Sequence, residues 1–263
     1  MRLRLSRTVL GELRNATVSL HAGRWFVSIC TSREVAQPVP SGDAVGIDMG
    51  IARFATFSDG SFIAPISSFK RHEARLRRYQ RAMSRKVKFS RNWGKARARV
   101  QRVHARIARV RADFLHKATT RIAHAHALVC VEDLAVRNMS RSAAGTVDAP
   151  GRNVRAKSGL NKAILDQGWS EFRRQLEYKL AWSGGHLIAV PPANTSRTCP
   201  ACGHVAAENR PTQARFLCVA CGHAAHADVV GAINILARGH RAAACGEPVQ
   251  SGRSMKQEPA EAI

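Results

Sequence analysis

Two short cysteine pairs are the residues best suited to hold a metal. Cys199 and Cys202 flank Pro200 and Ala201; fifteen residues later, Cys218 and Cys221 flank Val219 and Ala220. Each such turn points two thiolates at one centre, and a hairpin that brings the turns together completes a tetrahedral four-thiolate Zn2+ site. Gly203 and Gly222 follow the pairs, where the chain must turn sharply under a metal. One pair alone suits redox chemistry. Two in series predict a structural zinc ribbon over residues 194–225. Four thiolates leave no position for water, so this zinc supports folding.

Three carboxylates suggest a second kind of chemistry. Asp48 ends a short apolar stretch, Glu132 ends another, and Asp228 stands near the start of an apolar helical pattern. Taken singly each is ordinary: an Asp after a strand forms turns, and an Asp at a helix start is a cap. Glu132 also competes with Asp133, since successive strand residues point to opposite faces. In an RNase H-like sheet the first and fourth strands are neighbours, so Asp48 and Glu132 would stand side by side. A late helix would add Asp228. Carboxylates that close repel unless divalent cations bridge them. Two Mg2+ ions about 4 Å apart would activate water and stabilise the leaving oxygen of a phosphodiester, and Mg2+ suits oxygen ligands with exchangeable waters.

The elements that must position these groups are readable in outline. Strands are expected at 16–21 and 25–30 around a turn at Ala22 and Gly23, with a linker from Gln37 to Asp43. A meander follows, with strands at 44–48, 53–58 and 61–66 and a turn at Asp59 and Gly60. Apolar steps of three and four through Leu76, Tyr79 and Met83, then Val100, Val103, Ile107, Val110 and Phe114, predict two long helices, broken near 88–94. A buried-type strand over 127–134, a mobile loop over 138–160 and a helix over 162–182 come next. A strand at 186–190, the ribbon and a helix from about 227 complete the pattern. This is an α/β plan with an antiparallel beginning.

At 263 residues and 45% hydrophobic the chain can bury a substantial core. Its net charge of +24 and pI near 11.3 make a polyanion, nucleic acid above all, the expected partner. Residues 70–118 hold 18 of the 42 Lys and Arg against two acids, Glu73 and Asp113. That is too one-sided for ion pairing within helices and points to phosphate contact. No stretch is apolar enough to span a bilayer, and residues 1–20 lack the features of a signal peptide. Cys30 and Cys130 sit in apolar runs as small buried groups, and Cys245 has no assigned role. The cysteine usage fits a reducing, cytoplasmic setting.

Several motifs together resemble one family. They are Val45 to Gly50, Val131 to Leu134 with Asn138 and Met139, and Leu176 to Lys179 before Gly184 and Gly185. Asn194 to Gly203, Cys221 to Asp228 with Ala232 to Ile235, and the ending with Ala244 to Glu247 and Lys256 to Glu258 complete the set. In this order they resemble TnpB (OrfB), encoded by insertion-sequence transposons and related to compact type V CRISPR effectors. The resemblance implies a RuvC-type, RNase H-like nuclease domain with catalytic, Mg2+-binding Asp48, Glu132 and Asp228, and a zinc ribbon before the last helix. It implies a guide RNA derived from the transposon end, a DNA target chosen by base pairing, and no membrane. In that scheme residues 1–43 are a remnant of a wedge domain, and 44–193 are the nuclease domain with its basic insertion at 68–126. Residues 138–160 are a lid, 226–240 the final helix and 241–263 an irregular tail. His226 and Arg197 are candidates to touch the scissile phosphate. Typical members begin with further strands and a helical domain, so the chain reads as shortened at its front. A non-cleaving RNA- or DNA-binding regulator on the same scaffold is the alternative. A strand-transferring recombinase with a similar sheet fits less well, because the ribbon lies between the last strand and the Asp228 helix.

Overall fold

The computed structural model describes residues 8–34, 38–40 and 42–244. Cys245 and the tail motifs therefore lie outside the described residues. The chain forms two compact units, one holding residues 8–34 and 68–110, the other 38–40, 42–67 and 111–244.

In the first unit, β1 (Glu12–His21) and β2 (Arg24–Ser32) pair antiparallel, with Leu20 opposite Trp25 and Val18 opposite Val27. Ala22 and Gly23 both have positive φ, 51° and 81°, the backbone that a two-residue hairpin turn requires. Both strands run longer than the sequence pattern indicates. The basic helices are α1 (Ser68–Ser84) and α2 (Arg91–Ala125), the latter continuing into the second unit. Leu76, Val100, Val103 and Ile107 form a small core with Phe69, Tyr79 and Met83, so the helices fold back on one another through the expected apolar positions. The break falls at 85–90. Ser90 Oγ accepts from the Trp93 amide at 3.2 Å and caps α2, which leaves Gly94 inside its first turns. Arg77, Arg78, Arg81 and Arg85 line a concave face of about 440 Å³.

The second unit is built on a five-stranded sheet. Its strands are β3 (Asp43–Asp48), β4 (Ala55–Phe57), β5 (Phe62–Ile63), β6 (His126–Glu132) and β7 (His186–Val190), in the order β5-β4-β3-β6-β7. β6 runs parallel to β3 and β7; β4 and β5 run antiparallel. β4 and β5 are shorter than expected, and Pro65, which has no N–H to donate, stands just beyond β5.

Parity along the strands sorts the two faces. Val45, Ile47, Val129 and Val131 pack with Leu115 and Ile122 of α2, and with Phe172, Leu176 and Leu180 of α5 (Trp169–Trp182). The alternate residues Cys130, Ile188 and Val190 pack on the other face with Ile235 of α6 (Ala227–Ala244). Two glycines let α6 lie close. A Cβ on Gly46 would stand 2.1 Å from the Ala232 carbonyl oxygen, and one on Gly239 would stand 2.1 Å from Cys130 Sγ. Cys130 is thus the small buried group that its apolar run indicates.

The segment from 138 to 182 differs from expectation. A short α3 (Val136–Met139) and an α4 (Val154–Gln167) precede α5, and Gly168, with φ 72°, separates the latter two helices. Its left-handed backbone caps α4 and ends the continuous helical pattern there, and a Cβ at that position would also stand 3.2 Å from Leu115. The loop is confined to 140–153. Lys157 Nζ donates to the Met139 carbonyl at 2.6 Å and Asn161 Nδ2 to that of Ser140 at 3.0 Å, anchoring it to α4. Among the described residues no helix is long and apolar enough to cross a membrane.

Candidate active site and zinc centre

The acids owe their positions to the pleat. Ile47 pairs with Val131 in the parallel register, so Asp48 and Glu132 end neighbouring strands. Both share the parity of Gly46 and Cys130 and so belong to the α6 face. Asp133 has the opposite parity; it is exposed and pairs with Arg173 of α5, which resolves the ambiguity with Glu132. Asp228 lies in the first turn of α6. Three residues on, a Cβ at Gly231 would meet Asp48 Oδ2 at 3.1 Å, so α6 lies directly over that carboxylate.

Charge shows that the three acids share one neighbourhood. Burial first, then the charges of Glu132 and Asp228, push the Asp48 carboxyl up to about 7, with Arg210 partly opposing them. Burial also raises Glu132, against the Thr195 hydroxyl and the charges of Arg238 and Arg210. Thr195 Oγ1 donates to Glu132 Oε1 at 2.5 Å. Arg210 Nη2 lies 3.7 Å from Asp228 Oδ1, and His226 Nδ1, which accepts from the Asp228 amide at 3.2 Å, lies 3.9 Å from Oδ2. Three carboxylates whose mutual repulsion Arg210 and Arg238 offset only in part suit hard, oxygen-seeking cations. The acids are more widely spaced than the cysteines. Among the described residues, only the four thiols form a cluster whose ligand atoms all lie within 4.8 Å.

That cluster is built from two matching turns. Gly203 N donates to Cys199 O and Gly222 N to Cys218 O, each at 2.9 Å. Cys199 N and Cys218 N donate to His204 O and His223 O, again at 2.9 Å. Gly203 and Gly222 adopt φ of 76° and 75°. The hairpin β8 (Arg215–Leu217) and β9 (Ala224–His226) carries the Cys218–Cys221 turn at its tip, and a bridge between Thr198 and Val205 closes the Cys199–Cys202 turn. The Sγ separations are 3.7 Å between Cys199 and Cys221 and 3.6 Å between Cys202 and Cys218. A tetrahedron of thiolates about 2.3 Å from zinc has edges of about 3.8 Å, so the site fits zinc. Between the turns, buried Asn209 donates to the carbonyls of Arg197 and His204 and accepts from the Val219 amide. Its neighbour Arg210 reaches Asp228, so the ribbon places a cation at the acids.

Of the two phosphate candidates, His226 lies at the acids, while Arg197 is exposed and only its backbone is engaged. Sequence reasoning missed Arg210, Arg238 and the roles of Thr195 and Asn234. Thr195 and Asn234 lie within the quoted motifs, but Arg210 had no signal beyond its place between the cysteine pairs.

Residues 28–143, which contain Asp48 and Glu132, match the OrfB_IS605 family, described as "Probable transposase". Residues 169–235, which contain the four cysteines and Asp228, match the "Cas12f1-like, TNB domain". The chain is 57% identical over 264 residues to "Putative RNA-guided DNA endonuclease InsQ" of Escherichia coli (strain K12), a match covering 100% of this chain and 66% of that protein. It is 38% identical over 258 residues to a "Putative RNA-guided DNA endonuclease" of Streptomyces pristinaespiralis, covering 94% of this chain and 60% of that one. The chain therefore spans just under two thirds of these relatives' lengths. A cryo-EM structure of a Cas12f1–sgRNA–target DNA complex is similar over 83% of this chain and 55% of that chain, at 19% identity and a TM-score of 0.48. The sheet, acids and ribbon define an α/β protein with two candidate metal sites. The chain belongs to the OrfB, or TnpB, family of insertion-sequence proteins.

Proposed function

We propose that the chain carries the RNase H-like, RuvC-type nuclease centre of an RNA-guided DNA endonuclease. The observation that carries this reading is geometric: Asp48 and Glu132 end adjacent parallel strands, and the helix that bears Asp228 lies over Asp48, whose carboxyl is raised to about 7 by burial and by the charges of the other two acids. The strand order, with the two acid-bearing strands adjacent and parallel, is that expected of such a domain. Asp48, Glu132 and Asp228 would hold two Mg2+ ions. When bound, the ions would lower the pKa of a water and neutralise the departing 3′ oxygen. Arg210 stands beside Asp228, where a phosphate in transit needs counter-charge, and His226 lies next to it with Nδ1 accepting from the Asp228 amide. The arginine face of α1 would grip the backbone of RNA or of an RNA–DNA hybrid, leaving sequence choice to base pairing. The two named relatives, each called a "Putative RNA-guided DNA endonuclease", support that partner assignment.

The test is to purify the chain, sequence the RNA that accompanies it, and offer DNA complementary to that RNA. Mg2+-dependent cleavage that disappears in Asp48→Ala and in chelator is the expected result. Equal cleavage by wild type and Asp48→Ala would remove the assignment. RNA retention without cleavage under any condition would favour the non-cleaving regulator.

A further inference from the structure

The turn at 191–198 is tied to the acid centre more tightly than a connection into the ribbon needs to be. From α6, Asn234 Nδ2 donates to the Thr195 carbonyl at 2.7 Å and to the Thr198 carbonyl at 2.8 Å. Arg238, one helical turn further on, donates to the Pro191 carbonyl at 2.9 Å. The same helix that carries Asp228 therefore grips the turn at three backbone oxygens. Thr198 closes it from within, Oγ1 to the Asn194 carbonyl at 2.8 Å. The product of this bracing is one placed hydroxyl. Thr195, 3% exposed, sets Oγ1 2.5 Å from Oε1 of Glu132, which is itself 8% exposed. That hydroxyl has one proton and two acceptors in reach, the carboxylate and the Pro192 carbonyl at 3.1 Å. The charged and nearer acceptor takes it. Pro192 O keeps the Thr195 amide as a donor.

We propose that Thr195 is a positioning residue for Glu132. Its hydroxyl engages Oε1 and fixes the carboxylate plane, leaving Oε2 to the acid centre. This rests on the reading of the three acids as a cation site. A glutamate has three side-chain torsions, and ordering them at the moment of binding costs affinity. A carboxylate already held by a braced hydroxyl has lost that freedom beforehand. Because the turn leads directly to Cys199, the ribbon would contribute twice, with Thr195 on Glu132 and Arg210 on Asp228.

The experiment measures Mn2+ affinity of the zinc-loaded chain by EPR of the free ion, with zinc content and thermal melting recorded alongside. Thr195→Val keeps the shape and removes the hydroxyl; it should bind Mn2+ about 10–100-fold more weakly with zinc and melting unchanged. Thr195→Ser restores the hydroxyl and should return affinity to the wild-type value. Asp48→Ala should lose binding outright and serves as the reference for the site itself. Wild-type affinity in Thr195→Val, with binding lost in Asp48→Ala, overturns the positioning role and leaves the cation site standing. Absence of Mn2+ binding in the wild type overturns both. Should Thr195→Val fail to fold, Thr195→Ala removes the same hydroxyl without turning a methyl toward Glu132, and the same outcomes decide.

Discussion

Asp48 keeps its proton to about pH 7 because burial and two neighbouring carboxylates oppose its ionisation. This has a consequence for stability with a definite sign. Below pH 3.8 the group is protonated whether the chain is folded or not. As pH rises toward 7, the unfolded chain releases a proton that the folded site retains, so metal-free stability falls across that window. The full loss is about 4 kcal/mol as an upper bound. Urea unfolding at intervals from pH 4 to 8 in chelator should show the decline, and Asp48→Asn should flatten it. An unchanged slope in the variant would place the acid burden elsewhere. Divalent cation should restore stability at pH 7 in the wild type alone, because the cation favours the ionised carboxylate.

Among the elements, α6 has the narrowest tolerance. It lies on the sheet through Gly46 and Gly239 and over Asp48 through Gly231. Gly46→Ala would drive a methyl into the Ala232 carbonyl, a backbone atom that cannot swing aside, and should cost about 1–3 kcal/mol in urea unfolding. Stability within a few tenths of a kcal/mol of wild type would contradict that packing. The ribbon is the second sensitive element. Zinc chelation should raise amide exchange over residues 194–226, while the strands β3 and β6 stay protected. Protection that persists in the ribbon without metal would deny zinc its folding role. The sequence reveals these elements unevenly. The cysteine pairs, the five strands and the helix at 227 follow from local pattern, and so do the acids at strand ends. Pleat parity, counted from Gly46 and Cys130, separates Glu132 from Asp133. The break at Gly168 was masked because helical periodicity continues on both sides of it, although a glycine in the left-handed conformation is a local helix stop. Arg210 and Thr195 were hidden for a different reason: each acts on an acid through a tertiary contact that no local pattern encodes.

At the scale of the molecule, charge dominates. A net +24 makes association with nucleic acid strongly salt-dependent. If 6–10 phosphates are neutralised, affinity should fall roughly 10³–10⁵-fold between 50 and 200 mM salt. Replacing Arg77 and Arg81 by Gln should reduce the salt slope by about two contacts in a fluorescence-anisotropy titration. A flat salt response would mean that the basic helices serve something other than phosphate. The claim on which the nuclease reading turns is that Asp48, Glu132 and Asp228 hold divalent cations together. Anomalous scattering from crystals soaked in Mn2+ tests it most directly. The account predicts anomalous peaks among these three carboxylates, absent in crystals of Asp48→Ala. Crystals that diffract well after soaking and show no Mn2+ peak there, with Arg210 still paired to Asp228, would contradict it.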